Sequence, residues 1–325
     1  MRKLLLGTTA LAAAATLSTN AALADVSISG AHEWSYNSRS SNQTSLDGTT
    51  FGQDSSVTIT FTNKTDSGLA LSYHTAIDTD GGALGNAENA LSISGGFGKI
   101  VLGNDDAAAD AYIIDEMDLI AEEASPSQVS ATIGTSSSLS LPAASDNNKI
   151  SYHLPAMGGL TAGVSFEDAG EEATSADTTT YGAKYTMSAG GASLTLGYTT
   201  RNTQNSTQDI DSDNMGLKVV SGDISLIVSQ GTTESSGEDV HNQGASISYK
   251  MPNGMVLGAY TFKSEDDLDG GEEYSKSGAE VQYTIASGLT AYINVDDYEY
   301  TAGTSSSSAT SDSGTNTKLT IKATF

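Results

Sequence analysis

Carboxylate side chains are concentrated in one stretch of the chain, between Asn104 and Asn147, that lacks the regular pattern found on either side of it. Acids at this density can act as a catalytic acid–base pair or set the charge along a water-filled passage. The acidic candidates are Asp105, Asp106, Asp110, Asp115, Asp118 and Glu122. The elements that hold the stretch decide which of these chemistries is open to it.

The stretch is expected to contain a short amphipathic helix. Asn104 can cap its start, with acidic residues favoured in the first turn by the helix dipole. Pro126 limits how far the helix continues. One side of the helix would carry Asp115, Asp118 and Glu122. The opposite side would be apolar and consist of Ile113, Ile114, Met117 and Ile120. A loop this long inside a compact domain is usually functional.

The rest of the chain alternates apolar and polar residues in short runs. Examples lie at 26–30, 57–61 and 194–198. Alternation with a period of two predicts β-strands that have one apolar face. About sixteen such runs are joined by short Gly/Asn/Asp turns that alternate with long acidic loops, which is typical of an up-and-down barrel.

The two faces of the expected strands differ in chemistry. One bears Leu, Ile, Val, Phe and Tyr, and the other bears mainly small polar residues. A soluble β-sandwich shows a similar alternation with the apolar face turned inward. Aromatic residues at the strand ends favour the inverted arrangement. We therefore expect an all-β fold, a transmembrane antiparallel up-and-down β-barrel of about 16 strands. The stretch at approximately 104–147 would fold into it as a constriction loop.

The N-terminal residues 1–24 have the composition of a secretory signal peptide. A positively charged end, an apolar run and the small-residue cleavage site Ala22-Leu23-Ala24 follow one another. We expect this segment to be removed on export, which leaves residues 25–325 as one outer-membrane barrel domain. No later apolar run approaches the ~20 residues of a membrane-spanning helix.

The overall composition argues against several function classes. The chain has 40 Asp and Glu residues against 14 Lys and Arg, with a formal net charge of −26. This argues against nucleic-acid binding, which needs a basic surface. The chain has no cysteine, so an exported protein of this kind must be stabilised by backbone pairing rather than disulfides. High charge can also indicate disorder, but the regular alternation argues against that.

A resemblance to a known family is carried by residues 95–106, GGFGKIVLGNDD. They resemble the turn, strand and loop start of Gram-negative general porins, and are most similar in pattern to alphaproteobacterial, Rhodobacter-type porins. The run at 25–36 and the aromatic strand that ends at Phe325 also resemble that family. The resemblance implies a sixteen-stranded barrel, a homotrimer and a third loop folded inward. It also implies that Phe325 marks the strand read by the barrel-assembly machinery of the outer membrane.

The sequence departs from that family in its basic residues. Such porins often place an arginine cluster on the wall that faces the acidic loop. Here the arginines after the signal peptide are Arg39 and Arg201, and both lie near expected loops. The lysines expected on the inward side of the strands are Lys99, Lys149, Lys184, Lys218 and Lys322. The resemblance leaves open whether any of them oppose the acids.

Two further acidic runs resemble fragments of calcium-binding loops. They contain Asp209, Asp211, Asp213, Asp266, Asp267 and Asp269. Neither run has the terminal bidentate acid of an EF-hand. Loosely bound Ca²⁺ or Mg²⁺ that bridges the surface to anionic lipid or lipopolysaccharide stays open, and no other cofactor is expected. Metal-ligand spacing is also missing among the four histidines, His32, His74, His153 and His241.

These patterns predict an outer-membrane channel for passive diffusion of small hydrophilic solutes and ions, with cations preferred because acids would line the constriction. We expect no enzymatic activity, because glycosidase chemistry needs two carboxylates fixed across a sugar site and nothing isolates such a pair. A substrate-selective channel is one alternative. An exported acidic β-rich surface or adhesin protein is another, but it would need a fixed short repeat that the chain lacks.

Overall fold

The computed structural model describes residues 25–43, 47–79, 85–122, 148–168, 176–204, 209–235, 238–266, 271–301 and 311–325. The expected signal peptide, residues 123–147 of the expected loop, and both Asp267 and Asp269 lie outside the described residues. Most of the described residues lie in β-strands.

The described residues form sixteen strands. The first eight are β1 (Asp25–Ser41), β2 (Gly48–Lys64), β3 (Ala70–Asp78), β4 (Gly85–Gly95), β5 (Gly98–Asn104), β6 (Asn148–His153), β7 (Leu160–Glu167) and β8 (Asp177–Ala189). The second eight are β9 (Ala192–Gln204), β10 (Asp209–Ser221), β11 (Ile224–Ser235), β12 (Glu238–Lys250), β13 (Val256–Asp266), β14 (Glu272–Ala286), β15 (Leu289–Thr301) and β16 (Asp312–Thr324).

Each strand pairs with its neighbours in the chain, and the sheet closes on itself. All the pairings are antiparallel, and β1 joins β16 with Trp34 opposite Ile321. Gly30 and Phe325 exchange two backbone hydrogen bonds at this seam. Closure leaves no unpaired sheet edge, so the backbone polar groups of the wall are satisfied within the sheet. The expected antiparallel up-and-down barrel is confirmed.

The apolar face of the wall points outward. On β9, Leu196 and Tyr198 are 48% and 49% exposed, whereas Gly197 and Thr199, which alternate with them, are buried. The same alternation runs through the neighbouring strands, so that a broad band of exposed aliphatic and aromatic side chains surrounds the barrel. This inside-out arrangement suits a sheet surrounded by lipid rather than one that packs on a second sheet.

Short turns join the strands at one end of the barrel. The turn between β8 and β9 is formed by Gly190 and Gly191, whose φ angles are 59° and 88°. Positive φ angles at both central residues are typical of the tightest hairpin turns and favour glycine. The sequence predicts this turn correctly.

The strands extend further at the opposite end than the sequence predicts. The polar residues between the alternating runs at 26–30 and 57–61 are mostly strand, because β1 runs to Ser41 and β2 begins at Gly48. The run that starts at Asp209 belongs to β10 instead of a calcium-type loop. Hydrophobic alternation is limited to the part of each strand in the apolar band, but backbone pairing continues beyond it among polar residues.

The inner face also differs from the expectation of small polar side chains. Four inward aromatic residues, Phe262, Tyr274, Tyr298 and Tyr300, form a buried cluster between β13 and β15. The Tyr300 hydroxyl donates a hydrogen bond of 2.9 Å to Glu272. A phenol can pack its ring and still satisfy its polar end, which allows tyrosines on a polar wall.

The acidic stretch after β5 forms two short helical turns. One is α1 (Ala108–Tyr112), and the other is a 3-10 helix, Glu116–Leu119. The expected single helix that starts at Asn104 is wrong, because Asn104 is the last residue of β5 and Ile113 and Asp115 have extended backbone angles. No helix among the described residues is long and apolar enough to cross a membrane.

Candidate functional site

Residues 105–122, here called the docked segment, lie against the wall of the barrel. Its α1 end contacts β6 to β9, and its 3-10 helix contacts β11, β12 and β13. The wall residues it meets are those that alternate with the exposed apolar side chains. The backbone N–H groups of Ala108 and Ala109 donate to the hydroxyls of Ser165 and Thr180, at 3.1 and 3.3 Å. These hydroxyls satisfy donors at the helix start that have no partner within the helix.

Glycines on the wall make room for the docked segment. A Cβ atom at Gly182 would lie 2.7 Å from the Tyr112 Cβ, and one at Gly197 would lie 2.9 Å from the Ile114 side chain. A Cβ at Gly216 would overlap the carbonyl oxygen of Ile114. Such close approach of two backbones requires residues without side chains.

The buried tyrosine of α1 anchors the segment on the wall. The Tyr112 hydroxyl lies 2.9 Å from Nδ1 of His153 on β6. Their rings are 5.8 Å apart, centre to centre. Burial raises the pKa of Tyr112, which favours the neutral hydroxyl.

Two acids of the 3-10 helix have structural partners. Asp115 is 1% exposed, and its Oδ1 accepts a hydrogen bond of 3.0 Å from the Met117 N–H. Glu116 accepts one of 3.2 Å from the Ser229 hydroxyl. Asp115 therefore caps the 3-10 helix. The helical periodicity predicts instead that Asp115 faces water on the polar side of a helix, and this prediction is wrong. The prediction of one continuous helix assigned no contact to Glu116.

The other predicted acids of the segment, apart from Glu122, keep access to solvent. Asp106 and Asp118 are exposed, and Asp105 and Asp110 are partly buried. Asp105 accepts a hydrogen bond from the Asp106 N–H, and Asp110 accepts one from the Ala107 N–H. These four residues are the predicted acids of the segment that keep contact with solvent.

The far end of the segment is held by charged side chains. Glu122 is 3% exposed and accepts a hydrogen bond of 2.8 Å from Lys318 on β16. Glu280 on β14 accepts hydrogen bonds from the N–H groups of Ala121 and Glu122, at 3.0 and 2.7 Å. Burial raises the pKa of Glu122 to about 7, although Lys318 and Lys322 act to lower it. Sequence analysis did not find Glu280 or Lys318, since each is far from the segment in the chain.

Four cations lie on the inner wall beside the segment and are here called the cation row. They are Lys149, Lys184, Arg201 and Lys218, on β6, β8, β9 and β10, whereas Lys99 lies at the turn end of β5. Arg201 interacts with Asp110 and Glu167, and Lys184 interacts with Asp118. Arg201 thus belongs to the wall and not to a loop. Continuing the alternation of β9 beyond the outward Leu196 and Tyr198 would have placed Arg201 on the inward face.

Two further cations lie on other strands of the inner wall. The Lys322 Nζ lies 3.5 Å from Glu33 and 3.9 Å from Glu122 of the docked segment. Arg39 is buried in an ion pair with Asp312 and lies over the ring of Tyr298. Arg39 is therefore part of a packed cluster rather than a free cation near a loop.

The expected divalent-cation runs are only partly supported by the geometry. Asp209 and Asp211 lie on the outer side of β10, and both accept hydrogen bonds from Asn202. Asp213 follows on the same side. Asp266 is 5% exposed and lies on the inner face of β13, so it is not a surface ligand. Within the described ranges, the three side chains close enough to share a metal ion are His74, Glu88 and Asp105.

Similarity to solved structures follows the fold. The chain is similar to the trimer form of OmpT, an outer membrane protein of Vibrio cholerae, with a TM-score of 0.70 and 14% identity over 93% of this chain and 99% of that one. It is similar to the anion-selective porin from Comamonas acidovorans (TM-score 0.66, 16% identity, 93% and 100% covered). It is also similar to a mutant of the Rh. blastica porin (TM-score 0.65, 16% identity, 92% and 100% covered).

At these identities, the likeness shows the fold alone, and the narrower resemblance to Rhodobacter-type porins stays a prediction. No curated protein sequence matches the chain. A profile of the Gram-negative porin family, however, matches residues 7–303. Together with the closed sixteen-stranded wall, this match shows that the chain belongs to the Gram-negative porin family and is an outer-membrane channel protein.

Proposed function

We propose that the barrel is a passive diffusion channel for small hydrophilic solutes and ions, that the docked segment is its constriction, and that cations are preferred. The observation that carries this proposal is the position of the segment. It meets wall positions that alternate with the outward apolar residues on β7 to β9 and β11 to β13. A solute that crosses the barrel would therefore pass beside it.

The charge of the segment supports a preference for cations. Residues 105–122 contain seven Asp and Glu residues and no Lys or Arg. Asp106 and Asp118 are exposed, and the Debye length of ~8 Å at physiological salt is comparable with the width of a narrow pore. The cation row offsets part of this charge. One similar solved porin is anion-selective, so the barrel fold does not by itself dictate cation preference, which we attribute to the charge at the constriction.

Planar-bilayer recording in a KCl gradient tests the proposal. We expect the wild-type reversal potential to indicate cation preference and the Asp106→Asn, Asp118→Asn double variant to reduce it. Asp66→Asn, in the exposed turn between β2 and β3, is the matched control and should leave it unchanged. A wild-type channel without cation preference would contradict the proposed role of the segment.

A substrate-selective channel is the second candidate function. The cation row lies beside the acids of the segment, and Lys184 interacts with Asp118. Closely spaced rows of opposite charge can orient a solute that carries both charges. This candidate predicts saturable block of the ionic current by one class of zwitterionic solute. In a general channel, the reduction of the current by an added solute depends only on the size of that solute.

The assembly is proposed to be a homotrimer. β5, β6 and β7 have only 7, 6 and 8 residues, so the wall is low on this side and suits contact with a second subunit. On β1, four strands from β5 in the sheet, the outward His32 has its Nδ1 2.6 Å from the Ser55 hydroxyl, a polar pair that contact with a subunit would cover better than lipid. OmpT of Vibrio cholerae, which is similar in fold, has a trimer form. Native mass spectrometry in mild detergent should show three chains, and a monomer there would contradict this.

Export and membrane insertion complete the proposal. The protein is exported with cleavage after Ala24, and Phe325 is read by the barrel-assembly machinery. N-terminal sequencing of the mature protein should begin at Asp25, and Phe325→Ala should lower its amount in the outer membrane.

Loose binding of Ca²⁺ or Mg²⁺ is proposed at Asp209 and Asp211. Both face the outside of β10, where lipopolysaccharide would supply further anionic groups. Removal of divalent ions should lower the amount of lipopolysaccharide that copurifies with the wild type. The Asp209→Asn, Asp211→Asn variant should copurify with little of it even when Mg²⁺ is present.

A further inference from the structure

Three side chains from neighbouring strands meet on the inner wall where the docked segment begins. His74 lies on β3, Glu88 on β4, and Asp105 directly after β5. One potential ligand atom from each lies within 4.8 Å of the other two. The sequence shows no ligand spacing here, because the three residues come together only through the pairing of β3 with β4 and of β4 with β5.

We propose that His74, Glu88 and Asp105 bind one divalent transition-metal ion such as Zn²⁺. The His74 Nε2 lies 4.0 Å from Asp105 Oδ1. Two ligands of one tetrahedral zinc ion are about 3.4 Å apart, given bonds of about 2.1 Å. Small rotations of partly buried side chains close this difference, and the strands that carry them are held in register by backbone hydrogen bonds.

The donor set selects the class of metal. One imidazole nitrogen with two carboxylates suits Zn²⁺, Ni²⁺ or Cu²⁺. Ca²⁺ needs six to eight oxygen ligands and has no preference for imidazole. Three protein ligands also leave at least one position for water or a solute.

Neighbouring groups orient the Asp105 carboxylate, and the charge of Lys149 lowers the affinity of the site for a cation. The N–H of Asp106 donates to Asp105 Oδ1 at 2.9 Å, which orients the carboxylate. Lys149 donates to the backbone carbonyl of Asp105, so its positive charge opposes a cation nearby. We therefore expect Lys149→Gln to bind Zn²⁺ more tightly than the wild type.

Equilibrium dialysis of the detergent-solubilised protein against ZnCl₂ tests the site. We expect one saturable site per chain, and His74→Ala and Glu88→Gln should each weaken it by at least tenfold. His241→Ala and Asp66→Asn are matched controls at exposed positions away from the site and should not change it. Zinc binding by His74→Ala that equals the wild type would overturn the proposal. The measurement does not depend on conduction, so its outcome is separate from that of the channel experiments.

Electron paramagnetic resonance of bound Cu²⁺ gives a second readout in the wild type, where folding of a variant is not an issue. One coordinated imidazole predicts hyperfine structure from one nitrogen. A spectrum with no nitrogen, or with several, would overturn the assignment. Zn²⁺ added to the bilayer should also reduce cation preference in the wild type and leave His74→Ala unaffected, because the bound ion adds two positive charges beside Asp105.

Discussion

The two ends of the docked segment are held to the same wall by different forces. At the α1 end, neutral hydroxyls of Ser165 and Thr180 accept the first N–H groups, and glycines let the backbones touch. At the other end, Glu280 accepts two N–H groups and Lys318 pairs with Glu122. One end is therefore docked by close packing, and the other by ionisable side chains.

Because of this difference, the two ends should respond differently to salt and pH. Close packing and neutral hydrogen bonds change little with salt or pH, whereas partly buried ion pairs depend on the protonation of their members. We expect the α1 end to stay docked under conditions that release the Glu122 end. The four predictions that follow test this comparison.

The largest effect is expected from Gly216→Ala, which fills the space used by Ile114. A new Cβ would overlap the Ile114 carbonyl oxygen, and overpacking of this kind costs about 1–3 kcal/mol. The segment should detach near α1, and the single-channel conductance should rise in bilayer recordings. Gly96→Ala, where nothing lies within 4 Å, is the control. Unchanged conductance in Gly216→Ala would show that shape does not hold this end.

Glu280→Ala should release the charged end. It leaves the buried N–H groups of Ala121 and Glu122 without their acceptor, at a cost of about 1–3 kcal/mol for each. Hydrogen-exchange mass spectrometry should show faster exchange at 116–122 and no change at 108–112. Glu299→Ala, at an exposed position of β15, serves as the control. Equal acceleration in both parts would mean that the two ends dock as one unit.

The Glu122 end should respond to pH. Burial raises the pKa of Glu122 from 4.5 to about 7, so the docked state binds the proton more tightly than the free segment does. Its contribution to docking is complete below about pH 4.5 and is lost as the pH rises through about 7. Exchange at 116–122 should accelerate over this range in the wild type but not in Glu122→Gln. The same acceleration in that variant would assign it to another group.

The smallest effect on docking is expected from Asp118→Asn. Asp118 is exposed, so its loss should shift the reversal potential away from cations and leave hydrogen exchange unchanged. Asp115→Ala should do the opposite, because Asp115 is 1% exposed and caps the 3-10 helix; loss of such a cap costs about 1 kcal/mol. The two variants compare an exposed acid that can act on solutes, Asp118, with a buried acid that stabilises the fold, Asp115.

Local patterns predict the wall well and the site poorly. The run at 194–198 and the turn at Gly190 and Gly191 depend on neighbours in sequence and on glycine at positive φ, so they can be predicted. The acidic stretch fails as a single helix because its backbone follows the wall, and contacts with Ser165 and Gly216 override its helical periodicity. The inward aromatic cluster was missed for a similar reason, since its members come from different strands.

The sequence alone determined the closed antiparallel barrel with an apolar exterior, because alternation and turn chemistry act over a few residues and repeat along the whole chain. Only the tertiary structure decided which acids meet water, which are buried as caps or ion pairs, and which lie beside a histidine. Glu122 and Lys318 are far apart in the chain, as are His74 and Asp105. Glu122 meets Lys318 because the sheet closes around the segment, and His74 meets Asp105 because β4 pairs with both β3 and β5.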